Sequence, residues 1–144
     1  MEELFGASLL SKSGIVNTVV LNEVKYILVY FSASWCKPCQ NFTPVLDMLY
    51  ESLNSFDREV EVVYVSRDNS EAEFLDYYQK MPWLAVPFVE SDKRQYLRDR
   101  FEAKGIPALF LINNQGEIKR TDCVVDVKNK GPLCTSDWNA ALNN

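Results

Sequence analysis

Cys36 and Cys39 are the residues of this chain whose type and spacing point most directly to chemistry. Two thiols at i and i+3 fall on one helical face, so they can close into a disulfide and reopen. Lys37 between them adds a positive charge that favours a thiolate, and Pro38 is tolerated only where a helix is just beginning. This is the pattern of a redox dithiol. Two other readings use the same residues. The pair could be half of a zinc site completed by Cys123 and Cys134, or four inert core thiols. Residues 124–133 separate the second pair, a wider spacing than structural zinc sites usually use.

The flanking segments must position the thiols. Tyr26-Ile27-Leu28-Val29-Tyr30-Phe31 is apolar without alternation, which suits a strand covered on both faces. After the motif, Phe42, Val45, Leu46, Leu49 and Leu53 recur at helical spacing. Cys36 therefore stands where a buried strand ends and a helix begins. The free N–H groups and dipole of a first helical turn stabilise an anion there. That makes Cys36 the expected attacking thiolate and Cys39, further inside, the resolving thiol.

Composition narrows the alternatives. The 144 residues fit a single domain, 1–144, long enough to bury a substantial core, with 47% hydrophobic and 24% charged residues. Lysine and arginine number 15 against 20 acidic residues, a net charge of -5 that argues against a nucleic-acid surface. Histidine is absent, which removes Cys–His and Ser–His–Asp nucleophile chemistry and every histidine metal site. Neither a signal segment nor a membrane-length apolar run is seen, so a cytoplasmic monomer is expected. In that reducing compartment dithiols are usually catalytic.

With the motif and its flanks in view, the chain resembles the thioredoxin superfamily. The likeness is carried by Phe31-Ser32-Ala33-Ser34-Trp35-Cys36 with Pro38-Cys39 and the following Phe42-Thr43-Pro44. It is nearest to the tryparedoxin and nucleoredoxin branch and extends over about residues 8–120. Leu9-Leu10-Ser11-Lys12-Ser13-Gly14 is similar to a tryparedoxin N-terminal segment, and Met81 to Phe88 to a stretch that both groups share. Gly105-Ile106-Pro107 falls where the superfamily carries a cis-proline. The resemblance implies an α/β thioredoxin-like fold, with a central mixed sheet flanked by helices on both faces. It also implies that Ile106 and Pro107, with Trp35, Lys37 and Pro38, make the substrate-binding surface around Cys36.

Departures from the family pattern are informative. Tyr30 stands where thioredoxins proper have a buried aspartate that helps deprotonate the resolving cysteine; tryparedoxins also have tyrosine there. Lys37 and Gln40 replace a proline and an arginine of the usual tryparedoxin motif, and Ala108 a common threonine. Tryparedoxins follow the second central strand with Ser-Trp-Asp-Glu, whose tryptophan and glutamate help bind the polyamine–glutathione conjugate trypanothione. Here the stretch is Ser66-Arg67-Asp68-Asn69, which puts the electron donor in question. Asp68 would partly compensate if its side chain faced the groove.

Elsewhere, strands are expected over Val16 to Leu21, Val60 to Val65, Pro107 to Asn113 and Glu117 to Val125. The last two are joined by an Asn114-Gln115-Gly116 turn. Helices are expected from an Asp68-Asn69-Ser70 cap through Tyr78, from Asp92 through Phe101, and over Ser136 to Leu142. Tyr96 should share the apolar face of Leu97 and Phe101, while Lys93, Arg94, Arg98 and Arg100 form a solvated basic face. Cys123 and Cys134, on an edge strand and a late loop, should be accessory.

The functional expectation is a thiol–disulfide oxidoreductase that reduces partner disulfides, such as those of peroxiredoxins. A low-molecular-weight dithiol or a reductase would supply its electrons, with no cofactor beyond the Cys36–Cys39 disulfide, no metal, no nucleic acid and no membrane. The competing classes are a binding module with an idle dithiol and a zinc-stabilised structural domain.

Overall fold

The computed structural model describes residues 1–144. The chain runs α1 (Glu2–Phe5), β1 (Ser8–Ser11), β2 (Gly14–Asn17), β3 (Tyr26–Ser32), α2 (Lys37–Leu53) and β4 (Val60–Ser66). It continues through α3 (Glu71–Tyr78), β5 (Leu84–Ala85), α4 (Ser91–Arg100), β6 (Ala108–Ile112), β7 (Ile118–Arg120), α5 (Cys123–Lys130) and α6 (Thr135–Leu142). The strands form one seven-stranded sheet in the order β2-β1-β5-β4-β3-β6-β7. β3 pairs parallel with β4 and antiparallel with β6, so the sheet is mixed and β3 lies well inside it.

Every residue of β3 and β4 is buried, the outcome expected for strands sandwiched between layers, and the one charged member, Glu61 of β4, is paired with Arg58 and the Tyr50 hydroxyl. Alternate side chains serve opposite faces. Tyr26, Leu28 and Tyr30 join Phe42, Leu46 and Leu49 of α2, Phe74 and Tyr77 of α3, and Trp138 of α6. Ile27, Val29 and Phe31 join Leu4 and Phe5 of α1 and Leu97 of α4. Burial on both faces holds the end of β3 rigidly, and the dithiol follows directly from it. No helix is long and apolar enough to cross a membrane.

Several local expectations are corrected. The strand expected over Val16–Leu21 ends at Asn17, where a 3-10 helix, Thr18–Glu23, begins. The Asn17 side chain accepts the Val19 N–H at 2.9 Å and so caps that turn. The strand expected over Glu117–Val125 stops at Arg120, and Cys123 opens α5 instead. Arg120 grips Asp126 with Nε and Nη2 at 2.6 and 2.8 Å, and the Trp138 indole donates to the same carboxylate at 3.0 Å. These contacts override the β preference of Val124 and Val125. Tyr96 stays half exposed, off the face shared by Leu97 and Phe101. Arg94 is not simply solvated: it lies over the Phe88 ring and donates to the Phe88 and Ser66 carbonyls at 2.9 and 3.4 Å.

Candidate active site

Cys36 is the N-cap of α2, and its Sγ accepts the Cys39 N–H at 3.3 Å. Extended backbone at Cys36 turns the chain from the buried strand into the helix, with Lys37 and Pro38 exposed in its first turn. The first-turn N–H groups have no intrahelical acceptors, and one of them, from Cys39, points at the sulfur. Only 7% of Cys36 is exposed, a narrow window for an incoming disulfide. Cys39 lies one turn below and is fully buried. Burial, added to by its hydrogen bond with Cys36, pushes the Cys39 thiol up to about 12, while the Ser32 hydroxyl partly offsets this.

The expected flanking residues gather around the window. The Ile106–Pro107 bond is cis, and the Ile106 carbonyl oxygen lies 3.8 Å from Cys36 Sγ. Trp35 is 53% exposed and is held by one hydrogen bond, from its indole N–H to the Arg67 carbonyl at 3.3 Å. It therefore offers a flat apolar surface beside the thiol and is no core residue. The Arg67 guanidinium reaches across to the Lys104 carbonyl at 3.3 Å, tying the loop after β4 to the loop carrying Ile106. The four thiols do not converge: Cys36 and Cys39 pack with Ala33 and Ile106, whereas Cys123 and Cys134 belong to the large core under α2. A four-thiolate zinc centre has no ligand set here.

Asp68, one of three cap candidates for α3, takes neither of the places open to it. It neither caps α3 nor faces the groove. Ser70 supplies the cap, accepting the Glu73 N–H at 3.2 Å. The Asp68 carboxylate turns inward and is 6% exposed. It accepts the Ser34 N–H and hydroxyl at 2.8 and 2.7 Å, and the Ser66 hydroxyl at 3.1 Å. It thereby pins the turn that presents Trp35 and Cys36. A small polar residue before Trp-Cys, met by an acid two residues after a buried strand, was the available signal. A cluster of hydroxyls was also missed: Tyr30, Ser32, Thr43 and Tyr77 meet beneath Cys39.

Cys123 and Cys134 are fully buried, which pushes Cys134 up to about 12 and Cys123 higher still. Such thiols behave as small apolar side chains. A Cys123→Ala/Cys134→Ala variant should keep at least about half its disulfide-reductase turnover while losing about 1–3 kcal/mol of stability to the vacated volume. Insulin reduction and urea unfolding measure the two effects; loss of nearly all turnover in a folded variant would make the pair a second redox relay.

The chain is similar to several known proteins. Residues 23–118 match the family described as Thioredoxin-like. Tryparedoxin of Trypanosoma brucei brucei is 47% identical over 106 residues, covering 74% of this chain and 72% of that protein. Probable nucleoredoxin 1 of Arabidopsis thaliana is 44% identical over 107 residues, again 74% of this chain but only 18% of that much longer protein. The solved structure of tryparedoxin from Trypanosoma brucei superposes with a TM-score of 0.84 at 41% identity, covering 93% of this chain and 92% of that one.

Proposed function

This chain belongs to the thioredoxin-like family, and from that premise we propose that its Cys36–Cys39 pair reduces disulfide bonds in partner proteins of the peroxiredoxin type. The observation that carries the reading is the placement of Cys36 Sγ. It caps α2, takes the Cys39 N–H and faces the Ile106 carbonyl through a small opening. The Cys36 thiolate attacks one sulfur of the partner disulfide, forming a mixed disulfide and releasing the other sulfur as a thiolate. Cys39, once deprotonated, attacks Cys36 Sγ; the Cys36–partner bond breaks, and the partner leaves with both sulfurs reduced. The exposed face of Trp35 and the backbone of Ile106 receive the partner's extended chain, with Lys37 and Pro38 at its margin. We place this chemistry in a monomer in a reducing compartment such as the cytosol, with no cofactor beyond its own dithiol.

Insulin reduction driven by a strong dithiol donor tests the reading. Precipitation of insulin chains at a rate linear in protein concentration is expected; none above background would leave a binding module with an idle dithiol.

The residues after β4 bear on which electron donor is accepted. Trypanothione carries a cationic polyamine bridge, so a receiving site gains from a carboxylate and a flat apolar surface. Arg67 and Asn69 supply neither, and Asp68 is committed inward to Ser34. Losing a partly exposed charge contact costs up to ~1 kcal/mol, and a like charge adds a salt-sensitive repulsion. Together these approach the ~1.4 kcal/mol that corresponds to tenfold in rate. Trypanothione is thus expected to reduce this protein about tenfold more slowly than it reduces a tryparedoxin with the full Ser-Trp-Asp-Glu pattern. An Arg67→Trp/Asn69→Glu variant should recover most of that rate, with the largest gain at low ionic strength. Equal rates for native protein and variant would show that these positions do not touch the donor.

A further inference from the structure

The resolving step requires Cys39 to lose a proton, and the group that takes it is not evident from the dithiol alone. Cys39 is fully buried, and burial together with its hydrogen bond to Cys36 holds the thiol in its protonated form at neutral pH. Burial pushes the Tyr30 phenol up, so it stays protonated and offers no phenolate to take the proton. The proton therefore has to travel.

A chain of hydroxyls runs nearby, beginning at Ser32, whose hydroxyl favours the ionised Cys39 sulfur. Ser32 Oγ, at the end of β3, is 3.1 Å from the Tyr77 hydroxyl of α3. Tyr77 Oη is 2.7 Å from Thr43 Oγ1 of α2, which also meets the Tyr30 hydroxyl at 2.7 Å. In each pair either oxygen can donate, so the chain can reverse its direction as a proton passes. Ser32, Thr43 and Tyr77 are all buried, yet Thr43 and Tyr77 also form part of the wall of an open cleft of about 340 Å³. Asp47, one helical turn beyond Thr43, lines the same cleft, and its Oδ1 is buried with no hydrogen-bond partner. Glu51 on α2 and Asp76, Tyr77 and Lys80 on the α3 side are the other ionisable groups around that carboxylate. Cys36, Tyr30, Tyr77 and Arg67 are those that face Cys39.

We propose that Ser32, Tyr77 and Thr43 form a proton wire that takes the Cys39 proton to the Asp47 cleft during resolution, an inference that rests on the dithiol reading above. As Cys39 Sγ closes on Cys36 Sγ, its proton passes to Ser32 Oγ, and the Ser32 proton passes to Tyr77. The Tyr77 proton moves to Thr43, and the Thr43 proton enters the cleft, where solvent conveys it to the Asp47 carboxylate. Each hydroxyl gains one proton and gives up one, so none ionises. The sulfur electron pair forms the Cys36–Cys39 bond, and the pair of the broken Cys36–partner bond leaves on the partner's sulfur.

An aromatic disulfide that releases a coloured thiolate, 5,5'-dithiobis(2-nitrobenzoate), separates the steps. Attack by Cys36 releases one coloured thiolate, and resolution by Cys39 releases the second. Tyr77→Phe should slow the second release about tenfold near neutral pH and leave the first unchanged, less than the roughly 10²–10⁴-fold that full general acid–base assistance supplies because water and hydroxide still take the proton. Its second release should also become steeper with pH, since free hydroxide must then do the work. Asp47→Asn should slow the second release in the same direction. Thr43→Val should behave like Tyr77→Phe, and Thr43→Ser, which restores a hydroxyl with little change in packing, should return the rate. In the native protein D₂O should slow the second release more than the first. A Tyr77→Phe variant with native second-release rate and pH profile, or a Thr43→Ser variant as slow as Thr43→Val, would overturn the wire. If the native protein released only one equivalent, the dithiol reading itself would fall.

Discussion

A Cys36→Ser variant is expected to lose at least about a thousandfold of turnover and to form no mixed disulfide, because a hydroxyl at the helix cap is a far weaker nucleophile. A Cys39→Ser variant is expected to differ in kind. Cys36 remains at the cap beside the Ile106 carbonyl, so attack proceeds, but nothing beneath it can displace the partner. Partners then accumulate as covalent adducts that a reducing agent releases. Non-reducing electrophoresis followed by peptide mapping reads both results. The two thiols are placed asymmetrically, one in a small opening and one fully buried, and this asymmetry sets the direction of the prediction. Stable adducts forming mainly through Cys39 would reverse the assignment.

Asp68→Ala is expected to have the next largest effect. The carboxylate accepts the Ser34 N–H, the Ser34 hydroxyl and the Ser66 hydroxyl in a site that is 6% exposed. Truncation leaves these donors without a partner, and an unmet buried donor costs about 1–3 kcal/mol. A loss of about 2 kcal/mol, or roughly 6 °C in Tm, is expected. The cost falls at the turn between β3 and α2, so the effect reaches the chemistry as well. Trp35 fluorescence should report a looser indole, and disulfide exchange at Cys36 should slow several-fold. Asp68→Asn keeps one carbonyl acceptor for Ser34 and should lose about half as much stability. An alanine variant with native Tm and native exchange rate would mean that the carboxylate does not hold the turn.

Much of the site was legible because it is local. Tyr26 to Phe31 must be a buried strand, since no polar residue in it could face water. The helix after Cys39 follows from the spacing of Phe42, Leu46 and Leu49, all buried in the structure. The likeness of Gly105-Ile106-Pro107 to a family segment located the loop that now stands against Cys36, although nothing in its own spacing would have done so. Where local preference misled, as at Val124 and Val125, the deciding contacts came from Arg120, Asp126 and Trp138 in separate elements.

The sequence by itself determined the strand–turn–helix around Cys36 and Cys39, the likeness to a dithiol family, and the absence of histidine chemistry. Each of these rests on interactions between residues a few positions apart, where periodicity and helix-terminus physics act without reference to the rest of the chain. Only the tertiary structure decided which polar side chains serve the site. Asp68 turns inward to Ser34, and Arg67 spans to Lys104. Ser32, Thr43 and Tyr77 join from β3, α2 and α3 into one buried chain. A hydroxyl or carboxylate has the same chemistry wherever it occurs in a sequence. What it does depends on whether burial removes its water and which partner, brought from a distant element, takes that water's place.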